Sequence, residues 1–266
     1  MYNATKLTEK FKRKEMILGT FINMDSPFIT ETLGGCGFDF LWIDGEHAAL
    51  DKMQIQNHLL ACRACAVPGL VRVPWNDFVQ IKAVLDMGAD GIIVPMIRNL
   101  EEARAAIAAT HYPPEGVRGM GVRRAVNWGH WDKNEYIATQ DQKIWTILQI
   151  EHIDIVRHLD AIARLPGLTG FVVGPNDFAM SMTTKDGKAC TGAEPEVQEQ
   201  FDIIGEKLRK YNLPFGVGGA YSEKFVADWA RRGANFMCLN TDFSYLVQGG
   251  KAVVANTQKT LQALRT

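Results

Sequence analysis

Little in this 266-residue chain points to a membrane, a nucleic acid or an oxidising compartment. Neither sign of charge is in excess: 29 Lys and Arg against 30 Asp and Glu leave a net charge of −1. That excludes the electrostatic footprint of a dedicated nucleic-acid binder and the polybasic signature of a membrane-surface protein. No apolar run approaches the roughly 18–20 residues of a membrane helix. The opening segment MYNATKLTEKFKRKE is polar and has no signal-peptide core, so a cytoplasmic location is expected. The five cysteines (Cys36, Cys62, Cys65, Cys190, Cys238) are too few and too scattered for a disulfide framework. Cys62 and Cys65 form a CxxC within MQIQNHLLACRACAV, but no second CxxC or His pair lies near it. Two helix thiols are a better reading than a redox or zinc site. GxSxG, HExxH, Walker and GxGxxG patterns are all missing.

What is present is a chain able to bury a full core, 47% hydrophobic and 22% charged. Eight short apolar runs recur, at 16–22, 38–44, 69–74, 91–97, 145–151, 170–177, 214–219 and 236–242. Helical patterns lie between them near 26–35, 51–66, 77–87, 99–109, 153–164, 195–210 and 222–232, with a last helix at about 243–264. The runs are apolar throughout rather than alternating, as parallel strands covered on both faces must be. Eight strand–helix units predict an α/β fold, a single-domain (β/α)8 TIM barrel over 1–266. A doubly wound sheet would want a phosphate-binding glycine turn after the first strand, and GTFINMDS is not one. One long segment, about 111–143, breaks the rhythm and is expected on the active-site face.

A barrel gathers the C-terminal ends of its strands at one mouth. Asp44-Gly45-Glu46-His47 close the second strand, Arg72 lies in the third, Gln149-Ile150-Glu151 end the fifth, Gly174-Pro175-Asn176-Asp177 the sixth and Asn240-Thr241-Asp242 the eighth. Glu151 and Asp177 can hold a hard divalent cation with positions left open for substrate; the alternative is two exposed carboxylates or a salt bridge. The turn at Gly174–Asp177 opens a short helical segment whose N–H groups offer an anion site. His47 is either a general acid/base or an ordinary loop histidine. Arg72 either stabilises a developing enolate or pairs with Asp44.

Taken together, these residues resemble the metal-dependent class II pyruvate aldolases of the 4-hydroxy-2-oxoheptanedioate and 2-dehydro-3-deoxyglucarate aldolase (HpcH/HpaI) family. The likeness is carried by GFDFLWIDGEHA, VRVPWNDFVQIKAVLDMGADGIIVPM, EEARAAIAATHYPPEGVRG, LQIE and GPND, over nearly the whole chain. It implies cleavage of a 4-hydroxy-2-oxo acid to pyruvate and an aldehyde without a Schiff base. It further implies His47 as base, Arg72 as enolate stabiliser and Glu151 with Asp177 as ligands of Mg2+, Mn2+ or Co2+. Gln149, Asn176 and Asp177 would bind substrate, and Asp86 would raise the basicity of the histidine. Small-molecule 2-oxo acid and aldehyde substrates, and a homo-oligomer of hexameric size, complete the implied picture. Phe21, Asn176, Phe178, Ala179, His152 and the run 216–220 depart from the family pattern near the pocket; they leave the acceptor open rather than the chemistry. A related pyruvate or phosphoenolpyruvate lyase or synthase acting on a CoA thioester, or a non-catalytic barrel, are the alternatives.

Two expectations concern placement. Arg118, Arg123, Arg124, Trp128, His130 and Trp131 crowd the long segment and either read the distal end of the acceptor or form surface and subunit contacts. Asp86 ends the helix before the fourth strand, roughly 20 Å across the barrel from His47. Either it belongs to another subunit's site, with the apolar last helix adding interface, or it merely caps its helix end or pairs with a nearby lysine.

Overall fold

The apolar runs form strands buried on both faces, and they close on themselves. In the computed structural model, which describes residues 4–265, β1 (Ile17–Ile22), β2 (Phe40–Asp44), β3 (Gly69–Arg72), β4 (Gly91–Val94), β5 (Trp145–Ile150), β6 (Gly170–Val173), β7 (Phe215–Gly219) and β8 (Phe236–Thr241) pair in parallel, in chain order. The opening residues 1–3 and Thr266 lie outside that description. The sixth run is shorter than its sequence pattern suggests. Pro175 takes the first helical turn, where its missing N–H costs nothing, so GPND starts a helix rather than ending a strand.

The helices are α1 (Ala4–Lys12), α2 (Pro27–Gly34), α3 (Lys52–Ala64), α4 (Phe78–Asp86), α5 (Leu100–Thr110), α6 (Lys133–Thr139), α7 (Leu159–Ile162), α8 (Pro175–Met180), α9 (Pro195–Leu208), α10 (Glu223–Arg231) and α11 (Asp242–Ala263). Several start on side-chain caps that accept an orphan N–H: Asp51 for α3, Asp77 for α4, Asn99 for α5, Ser222 for α10. One apolar cluster fills the space between barrel and helices; a second fills the barrel, with Phe40, Leu70, Trp145 and Phe236. Sequence periodicity did not reveal α1. It buries Ala4 and Leu7 in the barrel cluster, and its Thr8 hydroxyl accepts the indole N–H of Trp145 at 2.9 Å.

The segment 111–143 does not cover the mouth of its own barrel, contrary to expectation. It runs from the C-terminus of α5 to the N-terminus of β5, so topology delivers it to the opposite face. There Arg124 donates to the carbonyls of Met87 and Leu59, Arg118 pairs with Asp86, and Arg63 stacks over Trp131 at 5.0 Å. Tyr112, Val122, Ala125, Val126 and Tyr136 give the segment a small core of its own. The last helix leaves the barrel: of α11's 22 residues only Asp242 is buried. Leu18, on β1, is 38% exposed. No helix of the described residues is long and apolar enough to cross a membrane.

Candidate active site

The C-terminal ends of the strands surround a cavity of about 410 Å³. Asp44 and His47 reach it from β2, Arg72 from β3, Gln149 and Glu151 from β5, and Asn176 and Asp177 from the start of α8. Phe21 and Asn23 line it from β1 and just beyond, Gly218 to Ala220 from the end of β7, Asn240 and Thr241 from β8, and Phe243 and Ser244 from the start of α11. Six of the seven residues singled out by sequence therefore meet in one place. Asp86 does not. Asp242 turns away to clasp β1: its carboxylate accepts the N–H groups of Asn23 and Met24, both at 2.8 Å.

Arg72 is the hub. Its Nε and Nη2 donate to the two oxygens of Asp44 at 3.0 and 2.7 Å, a bidentate pair. Its Nη1 stands 3.0 Å from Glu46 Oε2 and 3.9 Å from Glu151 Oε1. The sequence left a salt bridge to Asp44 and a ligand-facing arginine as alternatives; the salt bridge is present, and Arg72 also lines the cavity. Burial alone would push Asp44 up, but the Arg72 guanidinium and the N–H groups of Glu46 and His47 hold it below its ordinary value.

Carboxylates outnumber this one guanidinium. Burial, then the nearby Glu46, pushes Glu151 up to about 7, and burial raises Glu46 as well. Glu151 Oε1 accepts from Gln149 Nε2 at 2.5 Å and Oε2 from the Met96 N–H at 3.0 Å. Met96 holds that N–H with φ of +56°, a left-handed conformation that a side-chain-bearing residue adopts only under constraint. Gly174 is required beside it: a Cβ there would lie 2.6 Å from Glu151 Oε1. Gly218 is equally confined, its missing Cβ site being 2.8 Å from the ring of Phe21.

His47 sits at the rim, its side chain 60% exposed and its Nε2 3.8 Å from Glu46 Oε2. The buried oxygens Gln149 Oε1 and Asn23 Oδ1 have no hydrogen-bond donor. No lysine among the described residues lines the cavity. Among them, too, no group of three or more His, Cys, Asp and Glu side chains is arranged to hold a metal; Glu151 and Asp177 both line the cavity. Sequence reasoning missed Asn23, although a polar residue directly after β1 was the available signal. It could not have found the Met96 N–H, which depends on a backbone conformation.

Asp86 lies at the far end of α4, 3.0 Å from Arg118 Nη2. Burial raises its pKa while Arg118 opposes the rise.

Comparison with known proteins fits this geometry. The family of HpcH/HpaI aldolase/citrate lyase proteins matches residues 18–206. A 4-hydroxy-2-oxo-heptane-1,7-dioate aldolase of Klebsiella pneumoniae is 34% identical over 257 residues, 96% of this chain and 94% of the relative. The crystal structure of an HpcH/HpaI aldolase from Desulfitobacterium hafniense DCB-2 superposes with a TM-score of 0.83 at 25% identity, covering 96% of each chain. Macrophomate synthase superposes at 0.81 with 26% identity, covering 97% of this chain and 90% of the other.

Proposed function

The chain belongs to the HpcH/HpaI aldolase/citrate lyase family and is a carbon–carbon lyase; from that premise we propose that it reversibly cleaves a 4-hydroxy-2-oxo acid into pyruvate and an aldehyde, with a divalent cation and no Schiff base. The observation that carries this reading is one paired arginine set among Asp44, Glu46, Glu151 and Asp177 at a single cavity. Negative charge in that excess, with two of the carboxylates raised above their ordinary values, is a donor set that a hard cation relieves. Glu151 and Asp177 would hold Mg2+, Mn2+ or Co2+. The cation supplies Lewis-acid polarisation of the 2-oxo acid.

The chain's own groups do the rest. Gln149 and the first N–H groups of α8, at Asn176 and Asp177, orient the substrate carboxylate. His47 takes the C4 hydroxyl proton as the C3–C4 bond breaks. Charge moves onto the pyruvyl oxygen, where Arg72 receives it. Asp86 assists His47 only across a subunit boundary, because α4, about 13 Å long, carries it to the far face of its own barrel. A homo-oligomer follows, and α11, which exposes Leu246, Val247, Val253 and Val254, packs on a neighbour.

Pyruvate release followed with lactate dehydrogenase, with and without EDTA, tests the chemistry. EDTA should abolish turnover, and borohydride with pyruvate should leave the protein unlabelled. A lysine–pyruvate adduct in the mass spectrum would sink the reading. Mixing His47→Ala and Asp86→Ala variants under subunit exchange tests the shared site: activity should return in the mixture, and a mixture that stays dead removes Asp86 from it.

A further inference from the structure

Asp86 stands far from its own barrel's mouth, yet its carboxylate is set with care. Its Oδ1 accepts from Arg118 Nη2 at 3.0 Å. Its Oδ2 lies against Gly121, where a Cβ would stand 2.5 Å away. The Arg118 side chain is fully buried, while that of Asp86 is partly exposed. The aspartate is therefore fixed from within and open to approach from outside.

Arg118 is itself held in place. Its backbone N–H donates to the His111 carbonyl at 2.8 Å and the Val117 N–H to that of Ala108 at 2.8 Å, which staples this turn to the end of α5. Tyr112 and Tyr136 stand beside the guanidinium, and Nη1 donates to Tyr136 and Gln140. Its buried Nε has no acceptor. A buried ion pair adds little net stability, because desolvation offsets the attraction, and an unpartnered Nε makes this one poorer still. What such a guanidinium does supply is direction and charge for one carboxylate. Burial works against the charge of Asp86; Arg118, and Lys82 one turn earlier on α4, oppose that effect.

We propose that Arg118 and Gly121 are positioning residues for catalysis in the neighbouring subunit: Arg118 directs the Asp86 carboxylate, and Gly121 leaves room for its Oδ2 to meet His47 of the partner subunit. This rests on the shared-site reading above and deepens it, giving the far face of each barrel a part in the reaction at another chain's mouth.

The test uses the assembled protein with its divalent cation and the pyruvate-release assay. Arg118→Met should lower kcat by roughly tenfold or more, the scale of a misdirected general base, with KM for the 2-oxo acid changed by less than about threefold. Gly121→Ala keeps the ion pair but crowds Oδ2, and should show the same split, which covers the case of an Arg118 variant that folds poorly. In an Asp86→Asn background neither substitution should lower kcat further, since each acts through that carboxylate. Subunit exchange separates positioning from general damage. His47→Ala chains are inactive but carry an intact Asp86 and Arg118. Added in large excess, they become the neighbours of most Arg118→Met chains, and kcat per intact His47 should climb back toward the wild-type value. A mixture that stays depressed, or losses that add to that of Asp86→Asn, overturns the positioning role. Unchanged kcat in both Arg118→Met and Gly121→Ala, with Asp86→Asn impaired, defeats this inference alone. A fully active Asp86→Asn defeats the shared site and this inference with it, whereas no pyruvate release by the unaltered protein defeats the lyase reading itself.

Discussion

Two buried arginines stand at opposite ends of the barrel, and each grips an aspartate. Arg72 at the mouth holds Asp44, with side chains 7% and 3% exposed. Arg118 on the far face holds Asp86, with side chains 0% and 21% exposed. The pairs look alike, yet their surroundings give them different work. Around Arg72 gather two further carboxylates, Glu46 and Glu151, and the residue lines the cavity. Arg118 meets one carboxylate, and its remaining faces are closed by Tyr112 at 4.6 Å and Tyr136 at 5.9 Å. Tyr136 and Gln140 also accept its hydrogen bonds. Burial pushes the Tyr112 phenol up, so it stays neutral there. Burial does not separate a site from a brace here. Charge balance and access do: the mouth is short of cations and open, the far face balanced and sealed.

That contrast can be broken or sharpened by experiment. The largest effect should be on turnover. Arg72→Lys keeps a charge but loses the bidentate grip, and the lost stabilisation, ~3–4 kcal/mol, should lower kcat by roughly 10²–10³. A drop below tenfold in the pyruvate-release assay would make Arg72 a brace after all. Next, Arg118→Ala leaves Asp86 half-buried without its partner and should cost about 3 kcal/mol of stability, read by denaturant unfolding. An unchanged midpoint would show the far-face pair to be idle.

A pH effect follows from Glu151. In the metal-free protein its carboxyl is raised, by burial first and Glu46 second, from 4.5 to about 7. Between those values the folded chain keeps a proton that the unfolded chain has lost. The contribution to stability is therefore full below about pH 4.5, falls as pH rises toward 7, and stays low above it. The span corresponds to an effect of roughly 3 kcal/mol. Glu151→Gln should flatten this slope, and saturating Mg2+ should restore wild-type stability above pH 7; parallel curves for the two proteins would be falsifying. The smallest effect belongs to Asp77, which caps α4 at the mouth end by accepting the Gln80 N–H at 3.0 Å. Asp77→Ala should cost about 1 kcal/mol with little change in kcat. A large kinetic loss would mean that the two ends of α4 are coupled.

Most of the barrel was legible in the sequence, because a parallel strand buried on both faces must be apolar throughout, and eight such runs leave few other folds. Residues at strand ends were legible for the same reason: Arg72, Gln149 and Glu151 are polar where the pattern demands apolar. Other features were hidden by their dependence on closure. The long segment was expected on the active-site face because loops of that length in a compact domain are usually functional, but a connection from helix to strand can only arrive at the far face. Its Arg118 and Arg124 serve Asp86 and the carbonyls of Met87 and Leu59 instead. α1 escaped because only Ala4 and Leu7 are buried in nine residues. Glu46 reads as one more acidic residue until the barrel brings Arg72 within 3.0 Å of it.

The contact between Gly218 and Phe21 carries a lesson about how this pocket can change. Any side chain at 218 meets the Phe21 ring, so the two positions cannot be varied independently. A larger residue at 218 is tolerated only after position 21 has shrunk, and shrinking 21 first strips Trp42 of its stacking partner. The order of substitutions then decides which acceptors a lineage, or a directed library, can reach. Single-site scans of either position would report only losses, while the productive variants lie among the doubles.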